Sequence, residues 1–328
     1  MKKSNFFLLI FFFFISIKSA NASTDKYVQA QYIMGTIYKI EIYSDNKSKA
    51  NQAFNQTFSE IRKCDLILSN YRTDSELTKV LDEAYSHPVK ISDYFFEVTE
   101  RSLYFSKITD EMFDITIEPL VNLWGFKNKD FHQPSDLQVQ TIKNDIGYKN
   151  IILDKKNKTI FLKSSKIKLD FGGIGKGFAV GKAANILKKC GIKSGVIDAV
   201  SSQYYIGSPP KQKFWKVGIK NPRNPNKIIK YLYLKDMSLS TSGDYEQFFI
   251  KKGHRYSHTI NPKTGYPIKE ENISSTIIYS DATDSDALSS SVRLLDEQKT
   301  KNILKFFPNI QIIKIKNIDG KLGIIIYK

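Results

Sequence analysis

Cysteine is nearly absent from this chain: Cys64 and Cys190 are the only two among 328 residues. That excludes a disulfide framework, so the fold has to stand on its hydrophobic core. Both cysteines fall in helical, apolar contexts far apart in sequence, which points to buried free thiols. Histidine is scarce as well, with four in the chain, and none is read as a metal ligand. Long apolar runs are missing beyond the amino terminus, so no later segment is able to span a bilayer. Internal repeats and low-complexity linkers are also missing, which leaves no boundary that would divide the chain into separate units. Charge is plentiful but not concentrated. The formal net charge is +17, yet the lysines are dispersed among acids, and no run resembles a basic arm or a recognition helix. Nucleic acid is therefore not an expected partner.

What the amino terminus does contain is a short signal-like segment. Lys2 and Lys3 precede an unbroken apolar run from Phe6 to Ile15, and Ala20-Asn21-Ala22 closes the segment before Ser23. A positive start, a short apolar stretch and a small-x-small ending form the pattern of a cleavable secretory signal. The expectation is that residues 1–22 are removed and that residues 23–328 form one exported domain, periplasmic and not membrane-spanning. Without the three lysines of the signal the charge is still +14. No cysteine stands at the cut, so lipid attachment there is not available.

About 300 residues then remain, enough for one large domain or two lobes around a sizeable core. Tyr32 to Tyr43 alternates apolar and polar residues as a strand, interrupted at Met34-Gly35-Thr36. Ala50, Phe54, Ile61, Cys64 and Leu68 recur at helical spacing, and the polar run Ser69 to Asp74 ends that helix. Ser92 is a good cap for a helix reaching about Ile108. Ser135 and Gln138 form a capping box for a short helix from Asp136 to Asn144. Ile151–Leu153 and Thr159–Leu162 read as a hairpin, and Ile167–Asp170 as a strand running into a glycine-rich turn and a helix that Gly191 ends. Strands dominate the second half until Asp286 opens a helix to about Leu295, and a last hairpin turns at Asp319-Gly320. The fold class expected is α+β, two-lobed, with mixed sheets and a shared cleft.

Four segments carry residues suited to chemistry. In Asp170-Phe171-Gly172-Gly173-Ile174-Gly175-Lys176-Gly177 a carboxylate meets a turn of glycines at a helix start. Glycines let backbone amides approach a phosphate, and the helix terminus adds a favourable field. A purely structural strand-to-helix turn would have the same sequence, and the spacing matches neither a Walker loop nor a dinucleotide fingerprint. Phe113-Asp114-Ile115-Thr116, followed by Trp124-Gly125-Phe126, sets polar groups among aromatics able to hold a planar ring, or simply caps a turn before core residues. Ser240-Thr241-Ser242-Gly243-Asp244-Tyr245-Glu246 is followed by His258-Thr259-Ile260-Asn261-Pro262, a lone histidine before a proline turn. Last, Asp286 and Ser290 stand four apart on one helical face. Their hard oxygens suit Mg²⁺, although an acidic helix start stabilised by the dipole reads the same way.

Taken in this order, the segments resemble the ApbE family, the FAD:protein FMN transferases. Met34-Gly35-Thr36, Tyr71 with Ser75-Glu76-Leu77, Phe113 to Phe126, Asp170 to Gly177, Ser240 to Tyr245, His258 to Gly265 and Asp286 to Ser290 carry the likeness. They span about residues 30 to 295. The resemblance implies a two-lobed α+β fold that binds FAD as substrate and Mg²⁺ as cofactor. The implied reaction moves FMN to a Thr or Ser hydroxyl of an acceptor protein and releases AMP, the acceptors being subunits of membrane redox complexes. Carried over by residue, Met34 and Tyr71 line the adenosine end, and Phe113, Asp114, Ile115, Asp170 and Lys176 contact the flavin nucleotide. Asp286, Ser290 and the Gly173 carbonyl hold the metal, and His258 is the candidate base or orienting group. The family pattern is broken at Leu81, Val200, Gly181 and Ser290, where Asn, Gly, Asp and Thr are expected. Two alternatives stand beside the transferase: an FAD pyrophosphatase giving FMN and AMP, and an exported FAD-binding protein without turnover.

Overall fold

A computed structural model describes residues 24–328; the signal-like segment lies outside the described residues. The chain opens with the hairpin β1 (Asp25–Ile33) and β2 (Thr36–Ser44) and the long helix α1 (Lys47–Leu68). Next come α2 (Glu76–Glu83), the short strand β3 (Val89–Lys90), α3 (Asp93–Ile108), α4 (Glu118–Leu123) and α5 (Asp136–Lys143). A small hairpin, β4 (Ile151–Asp154) with β5 (Thr159–Leu162), precedes α6 (Gly175–Lys189). Then follow β6 (Gly195–Ala199), β7 (Ser202–Ile206), the hairpin β8 (Trp215–Asn221) and β9 (Asn224–Leu234), and β10 (Met237–Gly243). The last part holds β11 (Phe248–Lys251), β12 (His254–Ser257), β13 (Asn272–Tyr279), α7 (Ala282–Leu294), α8 (Glu297–Ile303), β14 (Gln311–Ile318) and β15 (Lys321–Tyr327).

Eight strands form one sheet in the order β1-β2-β6-β7-β10-β13-β14-β15, and three smaller sheets accompany it. The class is α+β as expected, but the sheets are not mixed as expected: every strand pairing is antiparallel. Strand periodicity sorts side chains to two faces. Ile277 and Ile312 join the core beneath α1, α6 and α7, whereas Ile278 and Ile313, one residue on, pack with Trp215 and Leu232 of the β8–β9 hairpin. A third cluster of Leu120, Trp124, Phe126, Val139 and Ile260 gathers around α4 and α5. Among the described residues no helix is long and apolar enough to cross a membrane.

Local signals account for most boundaries. The Ser92 hydroxyl accepts from Phe95 N, and Ser135 and Gln138 make a reciprocal capping box. Gly191, at φ +72°, closes α6 through the left-handed conformation glycine tolerates. Both thiols are free; Cys64 is buried, and burial pushes it up to about 12, while Cys190 is only half-buried.

Several expectations change. The interrupted strand Tyr32–Tyr43 is two strands, because Met34 and Gly35 both take positive φ and make a two-residue hairpin turn. Residues 167–170 form no strand: their main-chain bonds run from Ile167 N to Ser164 O at 3.3 Å and from Asp170 N to Ile115 O at 2.7 Å, and no ladder forms. The segment around Asp114 is a turn rather than extended, since Asp114 Oδ1 accepts from both Thr116 N and its hydroxyl. Helix α7 starts four residues before Asp286, capped by Asp281, whose side chain accepts from Asp284 N.

Candidate active site

The glycine turn is shaped by its own carboxylate. Asp170 Oδ1 accepts from Gly172 N at 2.7 Å, and Lys176 Nζ reaches back to the Gly172 carbonyl at 3.1 Å. Helix α6 then begins with no side-chain cap on Ile174 and no acid in its first turn. Its positive end is met instead from across the fold. Asp286 Oδ2 accepts from Gly177 N at 2.7 Å, which puts a carboxylate on the α6 amino terminus. That approach needs glycine: a Cβ on residue 177 would lie 2.2 Å from the Ala282 carbonyl oxygen and 2.4 Å from Asp286 Cβ. Asp286 Oδ1 accepts from the Ser202 hydroxyl at 2.7 Å, and Ser240 backs Ser202 at 3.2 Å. Adjacent to this, the Ser290 hydroxyl faces Gly173, since a Cβ on that glycine would lie 3.5 Å from Ser290 Oγ and 3.3 Å from the Phe113 ring.

The metal donors called from sequence are thus brought together: Gly173, Asp286 and Ser290 cluster where α6 and α7 meet. They fit Mg²⁺ in kind, being hard oxygens with one carboxylate. Each Asp286 oxygen keeps a lone pair after its one hydrogen bond. Among the described residues no group of three or more His, Cys, Asp or Glu makes a self-sufficient cage. A metal here would complete its shell with water and substrate oxygens.

Met34 and Tyr71 stand at the other end of the glycine turn. A Cβ on Gly175 would lie 3.7 Å from Met34 Cε. The Tyr71 ring is 74% exposed, with Lys127 Nζ 5.5 Å from its centroid and paired below to Glu118. Partial burial and the nearby Asp170 and Glu118 charges raise the Tyr71 phenol, which ties it to the same corner. Phe113 and Ile115 are buried core residues, and Asp114 is buried with its oxygens spent on Thr116 and on Tyr148 N. Burial raises the Asp114 carboxyl. These three side chains shape the loop beside Gly173.

His258 donates Nδ1–H to the Gln247 carbonyl at 3.1 Å, the tautomer that leaves Nε2 as an acceptor. Burial, with the Arg293 cation nearby, pushes it down to about 4, so the ring is neutral at physiological pH. Its distance in sequence from the glycine turn had hidden one neighbour, Glu246. That carboxylate is open to solvent, yet protein surrounds it enough to raise it above the usual range, while Lys176 and Arg293 pull it down. The Lys176, Arg293 and Asp286 charges all act on it. Residue type alone gave no signal for it beyond its position after Gly-Asp-Tyr. Of the departures, Leu81 packs against the main core, and a Cβ on Gly181 would lie 3.8 Å from Ala282 Cβ and 3.9 Å from Thr283 Oγ1. Val200 holds φ +66° at an exposed turn. Two cavities, of 560 and 300 Å³, lie away from this site, one beside Tyr43 and Lys188 and one beside Arg101.

The chain is similar to known proteins along most of its length. The ApbE family profile matches residues 34–313. A Treponema pallidum protein named FAD:protein FMN transferase is 27% identical over 322 residues, covering 93% of this chain and 89% of its own. One of the same name from Buchnera aphidicola is 29% identical, covering 94% and 91%. Among solved structures, an ApbE protein of Thermotoga maritima superposes with a TM-score of 0.82 at 29% identity, covering 91% of this chain and 96% of its own. The flavin transferase ApbE of Vibrio cholerae, at 22% identity and a TM-score of 0.84, shares the fold.

Proposed function

The chain belongs to the ApbE family, and we propose that it is an enzyme moving the FMN moiety of FAD onto a Thr or Ser hydroxyl of an acceptor protein, with release of AMP. The observation that carries this reading is the junction of α6 and α7. A glycine turn at a helix start, suited to phosphate, adjoins one carboxylate and one hydroxyl, suited to Mg²⁺.

In the reaction the acceptor hydroxyl oxygen forms a bond to the FMN phosphorus. The bond from that phosphorus to the bridging oxygen breaks, and AMP leaves with that oxygen. The hydroxyl proton passes to a base. His258 Nε2 is suited to that task, because its Nδ1–H is committed to Gln247 and burial keeps the ring neutral. Lys176 and the α6 terminus offset charge on the diphosphate, and the exposed Tyr71 ring offers a face for adenine. Asp286, Ser290 and the Gly173 carbonyl would hold Mg²⁺, which when bound neutralises charge on the phosphoryl oxygens. No side-chain nucleophile is needed, since the partner brings its own.

The signal-like segment supports export, with acceptors among extracytoplasmic domains of membrane redox complexes and the enzyme itself in a periplasm. Purified protein given FAD, Mg²⁺ and a peptide bearing an acceptor Thr should yield a covalently yellow peptide and AMP. Asp286→Ala should abolish both products; full activity in that variant would overturn the metal assignment. Free FMN with unmodified peptide would instead establish a pyrophosphatase, and no AMP at all a binding protein.

A further inference from the structure

Arg293, in the last turn of α7, is fully buried. No carboxylate pairs with it among the described residues: Asp284 is taken by Arg101 and Asp244 by Arg223. The Asp244 and Glu246 charges favour the cation from nearby, but neither carboxylate contacts it. Its donors go to neutral oxygens, the Asn272 carbonyl at 2.9 Å, Thr259 Oγ1 at 2.9 Å, Ser257 Oγ at 3.2 Å and Ser242 Oγ at 3.5 Å. Neutral partners satisfy the fork but leave its charge in place. Burial lowers the guanidinium only to about 10, so it stays protonated at neutral pH.

A hydroxyl that accepts from arginine keeps its own proton to give. Neither Thr259 nor Ser242 donates to any other group among the described hydrogen bonds. Both residues are nearly buried, at 8% and 6% exposure. Thr259 follows His258, and Ser242 precedes Gly243, whose N–H bonds Glu246. The Arg293 charge is felt at His258 and Glu246, the same two residues that feel Lys176. A donor bonded to a cation is polarised into a better donor.

We propose that Arg293 is a fixed counter-charge for the phosphate part of the substrate, acting through the Thr259 and Ser242 hydroxyls rather than by contact. It is then a positioning residue, and the inference rests on the FAD reading above. The ligand feature it selects is a phosphate ester, not the base or the flavin ring.

Binding measured by calorimetry without added metal, with FAD, ADP and adenosine as probes, tests this. Arg293→Met should weaken FAD and ADP by about tenfold and leave adenosine unchanged, while Arg293→Lys keeps the charge and recovers part of the loss. An arginine that merely staples loops predicts equal losses for ADP and adenosine, or none, and either result overturns the proposal. If Arg293→Met does not fold, Thr259→Val decides: an ADP-specific loss of several-fold supports it, and unchanged ADP affinity overturns it. Wild-type protein that takes up neither FAD nor ADP overturns the functional reading itself. Wild-type protein that binds both, with variants equal to it, overturns only the role of Arg293.

Discussion

The two ends of the candidate site are built in opposite ways. At the Tyr71 end the groups stand in the open: a ring 74% exposed, Lys127 above it, and a turn after α1 held by surface bonds such as Arg72 to Asp74. At the α7 end they are buried: Asp286, Ser202, Ser240 and Arg293 are bonded to each other or to main chain. An exposed aromatic contributes little to folding and is free to contact a ligand. A buried carboxylate on a helix terminus is part of the fold, so changing it alters stability and chemistry together. The buried end should therefore be fragile to substitution, and the exposed end should show its effect in binding alone.

The sharpest way to break the buried end is Gly177→Ala. The added methyl would meet the Ala282 carbonyl and Asp286 at distances no relaxed side chain adopts. Separating α6 from α7 to make room should cost about 3 kcal/mol, and AMP release should fall below detection. A variant with wild-type thermal stability would mean that the helices slide apart without penalty.

Next in size is a pH effect on stability. The folded value of His258, about 4, lies beneath its ordinary 6.5, so the unfolded chain binds more protons between those limits. The stability due to a neutral His258 is fully present above about pH 6.5, declines as pH falls, and is lost by about pH 4; at the extreme it amounts to about 3 kcal/mol. Chemical denaturation of the wild type and of His258→Gln across that range should show the wild type falling more steeply on the acid side. Parallel curves would show that the ring is protonated in the native state.

At the exposed end, Tyr71→Ala should leave the unfolding free energy within about 0.5 kcal/mol of wild type. The KM for FAD should rise by about tenfold or more if the ring stacks on a base, given about 1–3 kcal/mol per stacked base. Loss of stability without change in KM would reverse the contrast between the two ends.

How legible this was in sequence follows the range of the interactions. Ser92, the Ser135–Gln138 box and the Asp319-Gly320 turn were readable because each acts within a few residues. The start of α7 was also written locally, as Asp281 three residues before Asp284, but the chemistry of Asp286 drew the boundary to itself. The apolar alternation of residues 167–170 suggested a strand, and no neighbouring strand was there to pair with it. At the site, sequence marked both Gly177 and Asp286, yet the bond between them joins residues 109 apart. Arg293 was passed over, and Glu246, though in a marked segment, was given no role, for a physical reason. A lysine-rich, highly charged chain offers many such groups, and only packing decides which one is buried with no carboxylate in contact or brought near the site.

Val200 gives the smallest test. It is the first residue of the two-residue turn between β6 and β7, at φ +66°, with its side chain 69% exposed and its N–H bonded to Asp198 at 2.9 Å. A β-branched residue in the left-handed region is strained by about 1–2 kcal/mol, and an exposed side chain recovers little of it by packing. Val200→Gly should relieve the strain, offset in part by the extra freedom glycine gives the unfolded chain. The expected gain is about 1 kcal/mol, read as a rise of a few degrees in melting temperature. Because Ser202, two residues on, holds Asp286, the variant also asks whether the turn reaches the buried end. Greater stability with unchanged turnover would make Val200 a feature of the exposed rim; greater stability with altered turnover would mean that the strained turn sets the position of Ser202.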